Sequence, residues 1–231
     1  TPGYAMASAT SIDVKIRGIG GHGSAPETTK DPVVVAAQVV LALQTIVSRE
    51  NSPLEPAVVT VGSIHGGTRY NIIPDEVNLQ LTVRTYKEDV RKRILASIER
   101  IVKSAAMSAG IPEDRAPIVK VSEGTTSTYN EPKLLERLTP SLQQALGADN
   151  VVQMPPMMAS EDFGYLSLDH KIPATIIWLG AADPQKVKQS RDTGIALPGL
   201  HSALFAPVPE PTLRTGVKAT TAVVLELMKK Q

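Results

Sequence analysis

Apolar residues recur along this chain with two different periods, and the switches between them mark out its elements. Ile12, Val14 and Ile16 alternate with polar neighbours, which predicts a half-buried strand. A glycine-rich stretch follows, holding Gly18, Gly20, Gly21 and Gly23 around His22. Asp31 then stands before Pro32 as an N-cap and first-turn pair, and "VVVAAQVVLALQTIVSRE" predicts an apolar helix to about Arg49. Pro53 and Pro56 mark a loop, "AVVTVGSIHG" is a β-branched strand, and "GGTRYNIIPDE" is a turn-rich crossing. In "EVNLQLTVRTY" Val77, Leu79, Leu81 and Val83 share one strand face. Glu76, Asn78, Gln80, Thr82 and Arg84 take the other. Thr85 and Glu88 have capping-box spacing before a helix with Val90, Ile94, Ile98, Ile101 and Val102 on one side, running to about Gly110. "APIVKVSEG" closes the series as a strand.

The order β-α-β-β-α-β predicts a ferredoxin-like arrangement, an antiparallel sheet with two helices on one face. After about Thr126 the texture changes. "NEPKLLERLTPSLQQALG" reads as a helix or helix pair interrupted at Pro140, and "VVQMPPMMASEDFGYL" as a loop entering a short helix. "IPATIIWLG" reads as a strand buried on both faces, and "RTGVKATTAVVLELMKK" as a closing amphipathic helix. One such strand with two or three helices is too little for a complete α/β domain. The opening "TPGYAMASAT" has no charged or long apolar region and reads as a loop within a longer protein.

Composition narrows the function classes. The 231 residues carry 24 basic and 23 acidic side chains, a formal net charge of +1, without long runs of either sign. That speaks against a nucleic-acid partner, as does an aromatic content of only 3%. There is no cysteine, so disulfides, thiolate metal sites and a cysteine nucleophile are excluded. No apolar stretch approaches the ~20 residues of a membrane span, so no membrane partner is expected.

Candidate chemistry is sparse. His22 sits where glycines would let the backbone approach a ligand while the imidazole donates to it, or it is an exposed turn histidine. Arg84 ends a strand on its polar face and suits bidentate recognition of a carboxylate, or is a surface arginine. Asn71 could donate to the same carboxylate, or bond its own turn. His201 in "PGLHSALF" is placed for an imidazole metal ligand, yet a zinc site needs three or four ligands and the other histidines do not cluster with it. Glu161 and Asp162 are suited to orienting such a site as supporting groups, or with Ser160 form an ordinary helix N-terminus. His65 and His170 suggest nothing beyond surface positions. No P-loop, Gly-x-Gly-x-x-Gly or Gly-x-Ser-x-Gly motif occurs.

Taken together, "GGHGSAP…DPVVVAAQVV", "VGSIHGGTRYNIIPDEVNLQLTVR", "ASEDFGYL" and "PGLHSALF" resemble the dinuclear-metal amidohydrolases and exopeptidases: aminoacylases, hippurate hydrolases and carboxypeptidase G-like enzymes. The resemblance implies a lid and dimerisation domain over residues 12–124. Residues 1–11 would lead out of a catalytic part that lies elsewhere, and residues 125–231 would be the C-terminal part of that α/β metallopeptidase-type domain. It implies two divalent metal ions, zinc or manganese, in the intact enzyme, none held stably by this part alone. By the same resemblance His22 stabilises the oxyanion in the partner's active site, and Asn71 and Arg84 hold the substrate carboxylate. His201 is a metal ligand, and Glu161 and Asp162 support the metal pocket. The implied substrates are N-acyl amino acids or dipeptides, and the implied assembly is a homodimer through the lid. Glu27 stands where the hippurate-hydrolase branch often has a second histidine. The alternative class is a non-catalytic dimerisation or small-molecule-binding module.

Overall fold

The computed structural model describes residues 1–229. Its strands are β1 (Gly3–Met6), β2 (Ser8–Arg17), β3 (Gly21–His22), β4 (Ala57–Gly66), β5 (Ile72–Ile73), β6 (Glu76–Thr85), β7 (Ile118–Thr125) and β8 (Thr128–Asn130). Its α-helices are α1 (Pro32–Thr45), α2 (Glu88–Ser108), α3 (Pro132–Leu146), α4 (Phe163–Leu166), α5 (Pro184–Thr193) and α6 (Pro209–Met228). Two compact units emerge. The first holds Gly3–Tyr129 and Pro155–Ala174, and the second holds Asn130–Met154 and the chain from Thr175 on.

The first unit is built on an antiparallel sheet in the order β4-β6-β2-β7, the ferredoxin-like order. Alternation explains it. Ile12, Val14 and Ile16 of β2 face the same side as Leu81, Leu79 and Val77, their partners on β6. All six are at most 4% exposed. Val35, Val39 and Leu43 of α1 and Ile94, Ile98 and Val102 of α2 complete this core. Each such buried side chain contributes roughly 1.5–3 kcal/mol of transfer free energy. The opposite face of the sheet is polar. Asp31 caps α1 as its position predicts, its carboxylate accepting from Val33 N–H at 2.8 Å.

Several expectations change on folding. The opening segment read as a loop contains β1, which pairs with β8. The Thr85–Glu88 capping box does not form, because Thr85 is the last residue of β6 and its hydroxyl lies 3.1 Å from Ser8 Oγ. Helix α2 starts at Glu88 without a side-chain cap. Helix α1 continues through a π-helical turn, Ile46–Glu50, giving a 19-residue span apolar enough by length and composition to cross a membrane. Its inner face belongs to the core, while Val34 (54% exposed) and Leu41 (73%) lie outward.

In the second unit α3 is one helix with Pro140 inside it, rather than a pair. Leu138 and Leu142 are buried, and Arg137 donates to the Glu226 carbonyl of α6 at 2.7 Å. The run Ile172–Gly180 is not a strand, because no strand among the described residues supplies the ladder bonds it would need. From Thr175 on, where it belongs to this unit, it is held by Asn130, whose side chain bonds both the N–H and the carbonyl of Ile176. Ile177, Trp178 and Leu179 stay more than 40% exposed.

Leu79, fully buried at the centre of the sheet, is expected to cost about 2–5 kcal/mol on replacement by alanine, read as a shift in the urea midpoint. Acid is expected to weaken the first unit. Hydrogen bonds from Ser97 and Arg100 hold the Glu50 carboxyl below its ordinary value, one from Lys15 does the same for Glu76, and Arg91 for Glu88. Because these folded values lie below the unfolded ones, their stabilisation is complete above about pH 5 and fades as pH falls through the folded values. A denaturation midpoint that stayed flat between pH 6 and 3 would contradict this.

Candidate functional site

His22 lies on a short arm rather than in a free turn. β3 and β5 form a two-residue antiparallel ribbon with His22 opposite Ile72, and Gly23 N–H donates to the Asn71 carbonyl at 2.8 Å. Gly23 fits closely there: a Cβ would meet that carbonyl oxygen at 3.1 Å, a tight contact. His22 and Asn71 are thus brought side by side, both exposed. Asn71 does not bond its own turn through its side chain, so the simple turn-former reading fails.

The ring of His22 is oriented locally. Ser24 N–H lies 3.2 Å from Nδ1 and Ser24 Oγ lies 2.7 Å from it. A backbone N–H only donates, so Nδ1 carries the lone pair in the neutral ring and Nε2 carries the proton. That proton is presented outward, as a donor to a developing negative charge would require.

Arg84 projects from the open face of the sheet at the far end of β6. Its Nη1 donates to the Met158 carbonyl at 3.2 Å and to Ser160 Oγ at 3.0 Å. Ser160 therefore serves Arg84 and is not the cap of α4, whose N-cap position is Asp162 without a side-chain bond. Glu161 and Asp162 are exposed on the same segment. That segment is fixed to the first unit by Met157, which bonds Ala5 and Ala7 through its backbone.

Arg84 and the arm do not meet within one chain. Glu76, where β6 begins beside the arm, is eight residues from Arg84, about 27 Å at the rise of an extended strand. Asn71 and Arg84 thus lie at opposite ends of β6 within a single protomer. His201 lies in the second unit, in a turn, exposed. Among the described residues no three His, Asp or Glu side chains gather into a metal site. The side chains present do not by themselves fit the expected metal pair, since a catalytic zinc needs three protein ligands.

His170, expected at a surface or loop position, is exposed in a turn, but its ring has partners that the sequence did not foretell. Its Nε2 lies 2.8 Å from the Ser127 carbonyl, and its ring lies tilted 5.4 Å from that of Tyr129 and edge-on 6.2 Å from that of Tyr4. Leu168, Asp169 and His170 all have positive φ, a left-handed turn that these bonds hold. No local pattern foretells partners so far away along the chain.

Comparison with known proteins agrees with this architecture. The peptidase dimerisation domain matches residues 4–109. N-acetyldiaminopimelate deacetylase of Leuconostoc mesenteroides is 33% identical over 87% of this chain and 51% of its own length. A solved structure assigned as an aminohydrolase, from methicillin-resistant Staphylococcus aureus, superposes with a TM-score of 0.83 at 30% identity, covering 99% of this chain and 55% of that one. A dinuclear metal-binding peptidase of Bacillus subtilis shares the fold at TM-score 0.71 and 22% identity, over 99% and 53% of the two chains. The chain carries the peptidase dimerisation domain, and over most of its length it is similar to amidohydrolases and peptidases. It spans about half the length of the curated relatives it matches.

For the uncharged ring the nitrogen spectrum of His22 is expected to show an unprotonated Nδ1 and a protonated Nε2. The opposite tautomer would mean that the ring is not set by Ser24.

Proposed function

We propose that this chain supplies the lid and carboxylate-recognition part of a metal-dependent amide hydrolase. Its substrates would be N-acyl amino acids or small peptides with a free carboxylate. The observation that carries this reading is the division of polar groups along β6, with the donor arm of His22 and Asn71 at one end and Arg84 at the other. A relative that deacetylates an N-acetyl amino acid supports the same chemistry.

A second copy makes the division useful. β4 is an open edge of the sheet, and Leu41, Leu54 and Ile64 leave apolar surface exposed on α1, on the loop before β4 and on β4 itself. Val58 of β4 lies opposite Arg84 and His65 opposite Asn78. Antiparallel pairing of two β4 edges about a two-fold axis brings the Val58 end of one copy beside the His65 end of the other. The partner's His22 then approaches Arg84 across the interface, and a homodimer is the functional assembly.

In such a site each side chain has a defined task. Arg84 holds the carboxylate by charge-assisted bonds and so fixes the register of the scissile amide. Asn71 adds a neutral donor from the opposite copy. His22 Nε2–H donates to the carbonyl oxygen as it gains negative charge. Glu161 and Asp162 lie beside the Arg84 anchor and orient the pocket. His201 would be one ligand of a divalent metal pair, zinc or manganese, that would activate water; the described residues offer neither the remaining ligands nor the general base.

One observation favours a second reading, a non-catalytic dimerisation or small-molecule-binding module: no group of three metal-binding side chains gathers among the described residues. His201→Ala separates the two, since a binding module is indifferent to it.

The decisive experiment mixes two crippled variants of the full metal-loaded polypeptide. His22→Ala is expected to lower kcat about 10²–10³-fold. Arg84→Met is expected to raise KM for substrates with a free carboxylate and to spare their methyl esters. Mixing equal amounts with subunit exchange is expected to restore about a quarter of wild-type activity, because half the dimers then hold one complete site. No recovery would place both residues in one protomer's site. An inactive wild type, loaded with metal and offered N-acyl amino acids and dipeptides, would end the hydrolase reading.

A further inference from the structure

The arm that carries His22 is an improbable thing to find ordered. Glycine loses more backbone freedom on folding than any other residue, and four glycines fall within six positions here. Ordering them requires specific anchors, and the structure supplies these at one point. Gly18 N–H donates to the Asp75 carbonyl at 2.7 Å, and Gly20 N–H donates to the Asp75 carboxylate at 3.1 Å. Between them Ile19 and Lys30 exchange two backbone bonds of 2.9 Å, closing the loop. Asp75 thus receives two of the arm's donors, one through its backbone and one through its side chain.

Arg115 completes the arrangement from a different element. It ends the single helical turn Glu113–Arg115, between α2 and β7. Its Nη1 donates to the Gly18 carbonyl and lies 3.6 Å from Asp75 Oδ1. Three separate segments therefore meet at Gly18: the arm, the residue before β6, and the connection from α2. Gly18 permits it, since a Cβ there would lie 2.3 Å from the Lys30 carbonyl oxygen. The ion pair alone would hold little, because the Asp75 side chain is 76% exposed and that of Arg115 41%. The hydrogen bonds to fixed backbone groups are what restrain the arm.

We propose that Asp75 and Arg115 are positioning residues that latch the His22 arm to the end of the sheet. Neither side chain bonds His22. They act by fixing the strand of glycines from which it projects, and they set the place of Asn71 through the β3–β5 ribbon. The catalytic consequence rests on the reading of His22 as the oxyanion donor, whereas the latch itself does not. A donor that must wait for a floppy arm to settle delivers less of its stabilisation than one already in place.

Hydrogen exchange on the chain as it stands tests the latch without any metal or substrate. Arg115→Ala is expected to speed exchange of the Gly18, Ile19 and Gly20 amides about tenfold, while Val14 and Leu79 in the sheet keep their protection. Arg115→Lys is expected to recover most of it, because an ammonium still donates to the Gly18 carbonyl. Asp75→Asn, which keeps an acceptor for Gly20, is expected to do less harm than Asp75→Ala. Unchanged exchange in the arm, or equal acceleration throughout the sheet, would overturn the proposal. In the full metal-loaded dimer, Arg115→Ala is expected to lower kcat with little change in KM. If the wild-type dimer hydrolyses nothing while the arm responds as described, the latch stands and the hydrolase reading falls.

Discussion

The alternation of β6 between a buried and an open face is the constraint on which the rest of the molecule depends. Val77, Leu79, Leu81 and Val83 join β6 to both helices and both neighbouring strands, so the strand cannot slip by one residue without exposing the core. That register also fixes where Arg84 emerges. It sets the separation between Arg84 and the arm anchored beside Glu76. The packing that stabilises the sheet and the spacing of the candidate site are therefore one property of one strand.

That separation has a chemical meaning. A single protomer carries the Arg84 guanidinium at one end of β6 and the exposed His22 imidazole at the other, too far apart to touch one small molecule. In the proposed homodimer, two protomers joined along β4 would bring unlike ends together, and the exposed apolar surface of α1 and β4 would be covered. On the same proposal the anchoring of the glycine-rich arm has a use, because a donor that crossed an interface would need to arrive in a defined place.

The order and type of the elements in the first unit were legible in the sequence, because period-2 and period-3.6 patterns report directly on which side is buried. Local chemistry was legible where partners are near in sequence, as with Asp31 capping α1. It misled where a residue had a stronger distant partner. Thr85 has the spacing of a capping box, but its place in β6 puts its hydroxyl beside Ser8 instead. Ser160 has the look of a helix cap, but Arg84 takes its hydroxyl. The apolar run Ile172–Gly180 reads as a buried strand, yet a strand exists only with a neighbour to bond, and the described residues offer none.

What the sequence determined by itself was the ferredoxin-like sheet with its two helices and the identity of the polar residues on its open face. Both follow from short-range periodicity and residue type. Tertiary structure alone decided which of those residues meet. It paired His22 with Asn71, separated them from Arg84, gave Ser160 to Arg84 and His170 to Ser127, and gathered Asp75 and Arg115 at Gly18. Those pairings join positions far apart along the chain. They are fixed by where close packing brings the backbone, which no local pattern encodes.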